Sequence, residues 1–383
     1  MAVQSEKTGG DAGVAVQSAD ASPLVTSVYA NYPCLPRTGG AKIVPDAVVD
    51  LGKAGPIVLF WQCSAFVATP DRGMKAVPLI NELADSSLET AVFVNPASTH
   101  VPLLRRRVPF NSMPEGQSMF SIIASGGVHT DPNDSVNMAA LDISDLPARP
   151  KVKLSAFGLA ANSGLYTDQT FVADGHPLLV SVSATAWSKQ AGQQIGAQLL
   201  IDNQPSANFQ VFANLTGQHM SLVGGDRVRS LPAGTHTLRL LPHASATIDT
   251  NDVWSLTVIE FPSPYTLTQL LANDPCKQQP GGGVVASAPY TSKGGTQLIC
   301  AWVSASASQA KRMITASVQV DGNPVGHLQI MPAVAGSHML LCGGDIVPGS
   351  IPAGQHTIDV VAGANTVTDA EDRVSLTIIE VFR

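Results

Sequence analysis

Three histidines, His100, His219 and His338, recur at a spacing of about 120 residues. Each precedes an Asp-x-x-Asp pair: Asp131 with Asp134, Asp249 with Asp252, Asp369 with Asp372. Imidazole ligates transition metals or pairs with anions, so three histidines brought together on one axis could hold either. Two carboxylates three residues apart can serve Ca²⁺, which takes six to eight oxygens, but two alone fall short of a site. The plainer expectation is that the aspartates cap a turn through neighbouring backbone N–H groups, and that each histidine bonds within its own strand. His100, His219, His338, Asp249, Asp252, Asp369 and Asp372 are therefore metal candidates only if the repeats converge, and no cofactor is expected. A third feature is Arg105-Arg106-Arg107, which stands where the other repeats read Gly-Gly-Asp. Such a run is usually a solvated turn; read more sharply, it contacts an acidic neighbouring subunit or an anionic glycan. Nucleophile elbows, phosphate-cradling glycine loops and His-Glu-x-x-His are all missing from the sequence, so no catalytic residues are expected and the chain reads as a non-enzyme.

The elements that must position these residues are written three times. LPAGTHTLRLLPHASATIDTNDVWSLTVIEF (231–261) answers IPAGQHTIDVVAGANTVTDAEDRVSLTIIEV (351–381), and a worn copy runs from Met113 to Ile143. GQHMSLVGGD (217–226) matches GSHMLLCGGD (336–345), and the Pro-Cys motifs at Cys34 and Cys276 match as well. A period of about 120 residues is the length of a whole domain, not of a solenoid unit. The boundaries expected are a flexible arm over 1–21 and repeats over 22–142, 143–262 and 263–383.

Within a repeat, LLVSVSATAW (178–187) alternates apolar and small residues, as half-buried strands do. Asp202-Asn203 and Asp321-Gly322 sit between apolar runs and signal hairpins. Leu238, Leu240, Leu256 and Val258, with Ile358, Val360, Leu376 and Ile378 in the third repeat, should face inward from adjacent strands. Only VTSVYAN and LTQLLAN have spacing that could make a short helix. The fold expected is all-β: three tandem antiparallel β-sandwich, jelly-roll-like domains, with an immunoglobulin-like sandwich as the alternative. Trp61, Trp187 and Trp302 lie in the first long strand of their repeats and read as sandwich core, not as sugar-stacking platforms.

Composition narrows the function classes. Charged residues are 13% against 44% hydrophobic, and the net charge is −7, which excludes nonspecific nucleic-acid binding as the main role. The sequence has no apolar run long enough to insert in a membrane and no visible secretory signal. Five cysteines without metal-type spacing read as buried thiols.

The Pro-Ala-Gly-Thr-His-Thr-Leu segment at Pro232 to Leu238 and the closing Ser-Leu-Thr-Val-Ile-Glu-Phe strand at Ser255 to Phe261 resemble the jelly roll of the complement-globular-head and tumour-necrosis-factor-like superfamily. Similar modules occur in phage tail and virion proteins. The resemblance implies trimer formation, and three linked copies imply an intrachain pseudo-trimer, with a beaded rod as the alternative. The function expected is a structural or adhesive protein of a virion, phage tail or capsid, which decorates, cements or binds a receptor. Its partners would be other structural proteins of the assembly or a cell-surface glycan or receptor, a homo-oligomer is allowed, and its location would be the virion or the extracellular space. The alternative is a soluble carbohydrate-binding lectin with three repeated sites.

Overall fold

Short β-rich segments broken by Gly, Pro and Asp fold here into strands almost throughout, as their turn chemistry requires. The computed structural model describes residues 25–51, 54–95, 97–143, 150–161 and 164–382. The expected N-terminal arm lies outside the described residues.

Twenty-four principal strands, eight per repeat, carry the fold. In repeat one they are β1 (Val25–Pro33), β2 (Ala47–Asp50), β3 (Gly55–Val67), β4 (Arg72–Ile80), β5 (Thr90–Val94), β6 (Arg106–Met113), β7 (Gln117–Ala124) and β8 (Ser135–Asp142). Repeat two has β9 (Lys151–Leu159), β10 (Thr167–Ala173), β11 (Pro177–Ser188), β12 (Gln193–Ile201), β13 (Gln204–Ala213), β14 (Gly225–Ser230), β15 (Gly234–Ala244) and β16 (Val253–Glu260). Repeat three has β17 (Thr266–Pro275), β18 (Gly283–Ser292), β19 (Thr296–Ala307), β20 (Ile314–Val320), β21 (Asn323–Ile330), β22 (Asp345–Ile346), β23 (Gly354–Ala362) and β24 (Arg373–Val381).

Each repeat pairs its strands in the same order. One sheet runs first-eighth-third-sixth (β1-β8-β3-β6, β9-β16-β11-β14, β17-β24-β19-β22). The other runs second-seventh-fourth-fifth (β2-β7-β4-β5, β10-β15-β12-β13, β18-β23-β20-β21). This is a jelly roll, three times over. Among the described residues every ladder stays within its own repeat.

Local chemistry explains the turns. Asp202 and Asn203 take φ of 50° and 64°, and Asp321 and Gly322 take 50° and 78°, the double left-handed conformation of a tight hairpin. His236 and His356 latch that hairpin to the Pro-x-Gly turn: each ring contacts the hairpin aspartate at 2.7 Å and a proline carbonyl at 2.9 Å. With an acceptor at both nitrogens the ring is favoured as imidazolium, and both histidines titrate above their usual range.

The two segments with helical spacing are strands. VTSVYAN lies in β1, paired with β8, and LTQLLAN lies in β17, paired with β24. Two register shifts interrupt each ladder, and Asn31 and Asn273 take positive φ of 51° and 66°. Each shift displaces the alternation by one residue, which imitates a longer period.

The eighth strands carry the clue to the larger arrangement. Antiparallel sandwiches usually leave one face of a sheet in water, yet β8 and β16 are buried at every residue and β24 at all but its first. One face meets the repeat's own core, where Leu256, Val258, Leu376 and Ile378 are fully buried. The opposite face, with Val58, Phe60, Leu179, Ile259, Leu298 and Ile379, joins one apolar cluster drawn from all three repeats.

Candidate functional site

At the edge of that shared core, the sixth strand of each repeat is anchored to its third strand at one equivalent register. Arg107 lies opposite Phe60, Asp226 opposite Ser181, and Asp345 opposite Cys300. The three residues meet. Arg107 donates through Nε and Nη2 to the carboxylate of Asp226 at 3.3 and 2.9 Å, and through Nη1 and Nη2 to that of Asp345 at 3.0 and 2.7 Å. One planar guanidinium thus forks to two carboxylates, a geometry lysine could not supply. All three side chains are fully buried.

Burial opposes ionisation at this point, and the charges outweigh it. Desolvation alone would raise the Asp226 carboxyl, but the charge and hydrogen bonds of Arg107 hold it below the usual carboxylate range. Desolvation would likewise favour a neutral Arg107, yet the two aspartates raise its guanidinium still further above the usual value. Trp302 donates its indole N–H to Asp226 Oδ2 at 3.0 Å. Arg105 lies 4.0 Å above the Trp302 ring and donates to the Ala301 carbonyl at 2.6 Å.

The glycines of the other repeats make room for Arg105 and the Trp302 ring it covers. A Cβ on Gly224 would come within 2.2 Å of the Val182 carbonyl and 3.0 Å of the Trp302 ring. One on Gly344 would meet the Ala301 carbonyl at 2.2 Å and the Arg105 guanidinium at 2.9 Å. Arg-Arg-Arg in one repeat and Gly-Gly-Asp in two are complementary halves of a single packed centre.

The ring closes through three junctions. Thr257 donates to the Arg107 carbonyl at 2.7 Å, and its counterpart Thr377 to the Asp226 carbonyl at 2.9 Å. The backbone N–H of His219 donates to Asn95 Oδ1 at 2.9 Å, and that of His338 to Asn214 Oδ1 at 2.8 Å. At the junction of repeats three and one, Ala139 and Ala333 stand where the threonine and asparagine would be. There Arg107, Arg105 and a bond from Gly343 N–H to Gln62 Oε1 at 3.1 Å do the joining. Each repeat touches both others, which is a pseudo-trimer and not a rod.

The expected sites are placed as follows. Arg105, Arg106 and Arg107 are 1–2% exposed, so they are no solvated turn and no external subunit or glycan reaches them. The acidic neighbours of Arg107 are the second and third repeats of the same chain. Arg106 sits 4.4 Å over the Phe157 ring of repeat two and donates to the Glu89 and Ser87 carbonyls. Burial lowers its guanidinium to about 10.

The three histidines do not form one site; each closes on its own aspartate pair. His100, His219 and His338 hold Nδ1 at 2.8, 2.8 and 2.9 Å from Asp134, Asp252 and Asp372. Their Nε2 atoms stand 3.8, 3.7 and 3.8 Å from Asp131, Asp249 and Asp369. The second aspartate of each pair also accepts the backbone N–H of the first, and the first caps the residue two positions on. Each cluster offers three ligand atoms within 4.8 Å of one another, one from the histidine and one from each aspartate, fewer than the four of a structural zinc site or the six to eight of calcium. Trp61 is core, as its spacing implies. Trp302 faces the axis instead, and Trp187 is only half-buried. The five cysteines are free and buried.

Asp226, Asp345, Gln62, Asn95 and Asn214 were not singled out by residue type. The usable signal was the charge reversal at one repeat position, arginine against two aspartates, which only a shared axis explains.

No family model and no curated protein matches the chain. Among solved structures it is similar to one of PNGF-II, at 8% identity over 85% of this chain and 99% of that one, with a TM-score of 0.30. It is also similar to the triple jelly roll of an archaeal virus, at 10% identity over 94% and 89% and a TM-score of 0.20. A third likeness is to Broad Bean Stain Virus, at 11% identity over 68% and 94% and a TM-score of 0.22. Likenesses this distant carry no argument about function. Among the described residues no helix is long and apolar enough to cross a membrane.

Proposed function

We propose that the chain is a non-enzymatic structural and adhesive protein of a virion or phage tail, acting as one preassembled threefold body that decorates, cements or binds a receptor. The observation that carries this reading is the buried Arg107 bridge to Asp226 and Asp345, which locks three jelly rolls to one another. In a homotrimer this position would bring together three like charges. Placing the three copies on one chain allows one arginine to answer two aspartates, and removes the concentration dependence of assembly. A trimer-forming module of the complement-globular-head and tumour-necrosis-factor-like kind accounts for that geometry. Such a body offers a pseudo-threefold face to other structural proteins of an assembly.

Density-gradient fractionation of particles, with the chain quantified by mass spectrometry, tests the proposal. The chain should band with intact particles and stay bound through a second gradient. A chain that remains at the top of the gradient and binds a glycan array, with inhibition by a defined monosaccharide, is a soluble lectin and overturns it.

A further inference from the structure

The junction of repeats one and two opens outward into a cleft of about 380 Å³, within the range of ligand sites. Phe93 and Trp187, both half-buried, line it with aromatic surface. Asp71, Asn95, His219, Asp249 and Asn251 ring it with polar groups. These groups are held in place before any ligand arrives. Asn95 donates to Asp71 Oδ1 at 3.3 Å while its own oxygen takes the His219 backbone N–H, and the Asn251 backbone N–H donates to Asp249 Oδ1 at 2.7 Å. Preorganisation of this kind lowers the ordering cost of binding.

The other two junctions lack the full set. At the second, Phe212 and Asn214 are kept, but Ser306 stands for Trp187 and Glu371 for Asn251. At the third, Phe66 stands for Trp187, while Met331 and Ala333 replace Phe93 and Asn95. The threefold plan therefore yields one complete cleft.

We infer that the cleft between repeats one and two is a carbohydrate site for a neutral hexose or N-acetylhexosamine terminus of a glycan. A pyranose presents an apolar C–H face and a rim of vicinal hydroxyls. The aromatic surface suits the first, and paired carboxylates and amides, which accept and donate, suit the second. Asp71 and Asp249 repel an acidic sugar such as a sialic acid. The inference rests on the adhesive part of the reading above, and gives it a ligand class.

Binding to an array of neutral and sialylated glycans, followed by titration of the free monosaccharide, tests the site. The full chain should bind neutral termini and not sialylated ones. Asp71→Asn, a residue suited to the φ of 55° at that position, with Asn251→Ala, both at exposed positions, should weaken binding at least tenfold while the thermal midpoint is unchanged. Glu371→Ala, at the equivalent place in the second junction, should leave binding unaltered. No binding to neutral glycans, a preference for sialylated ones, or full binding by the double variant overturns the site. Particle association of the same preparations is scored separately, so a lost glycan site is distinguishable from a chain that never belonged to a particle.

Discussion

Arg107→Ala removes the guanidinium but leaves both of its carboxylates where water does not reach. Asp226 and Asp345 have fully buried side chains, and Arg107 supplies four hydrogen bonds to them. Removing one partner of a buried ion pair costs about 3–5 kcal/mol; Arg105 stays 3.8 Å from Asp345, so the truncation strands Asp226 and the loss should fall in that range. That is a large part of the roughly 5–15 kcal/mol that holds a domain folded. The pH dependence has a definite sign. In the parent chain Asp226 is held low, so its contribution is present above the unfolded carboxyl value near 3.9 and is lost as pH falls through the folded value. Without Arg107, burial outweighs the hydrogen bonds that remain from Trp302 and Ser181, its folded value moves up, and the penalty grows as pH rises through that window. The deficit between variant and parent should therefore be greatest at neutral pH and shrink toward pH ~4. Urea unfolding at several pH values measures this. Arg107→Met with Asp226→Asn should recover most of the loss, because Asp345 then remains as the partner of the buried Arg105 and no charge is left unpaired. A loss below about 0.5 kcal/mol for Arg107→Ala, the range of surface substitutions, would refute the reasoning. A double variant as unstable as the single one would refute it too.

Further outcomes follow from the same geometry. Small-angle scattering should give a radius of gyration near 21 Å, the compact scaling for this length, and a markedly larger value with an elongated profile would contradict the closed ring. Leu256→Ala should cost about 2–5 kcal/mol in unfolding experiments, because its side chain is fully buried in the core of repeat two. His338 should titrate above the usual histidine range by NMR: burial works against protonation, but Asp372 overrides it. Its stabilisation is accordingly full below the unfolded value near 6.5 and is lost as pH rises through the folded value, and titration below 6.5 would exclude the ion pair. Burial raises the thiols of Cys34, Cys63, Cys276, Cys300 and Cys342, so a thiol reagent should leave the native chain unmodified and label all five in denaturant.

Much of each repeat was legible from local pattern. Alternation in LLVSVSATAW, the Asp-Asn and Asp-Gly hairpins and the Pro-x-Gly turns act over a few residues, and such chemistry fixes strands and turns wherever it occurs. It misled at VTSVYAN and LTQLLAN, where bulges reset the alternation, and bulges are decided by the partner strand. The aspartate pairs were readable as turn caps because their partners lie two or three residues away.

The histidines and arginines were another matter. Both were visible as residues that could do chemistry, but their partners lie 17 to 238 positions away. His219 pairs with Asp252 within its own repeat, so the threefold convergence imagined from its spacing is absent. Arg107 pairs with aspartates in the other two repeats. By itself the sequence determined an antiparallel β-sandwich module and its triplication, because alternation and turn chemistry are written into short stretches of chain. Only the tertiary structure decided that the three modules close on one another. That choice rests on which sheet face each repeat hides from water, and an apolar face at β8, β16 or β24 reads the same whether a core or a neighbouring domain covers it.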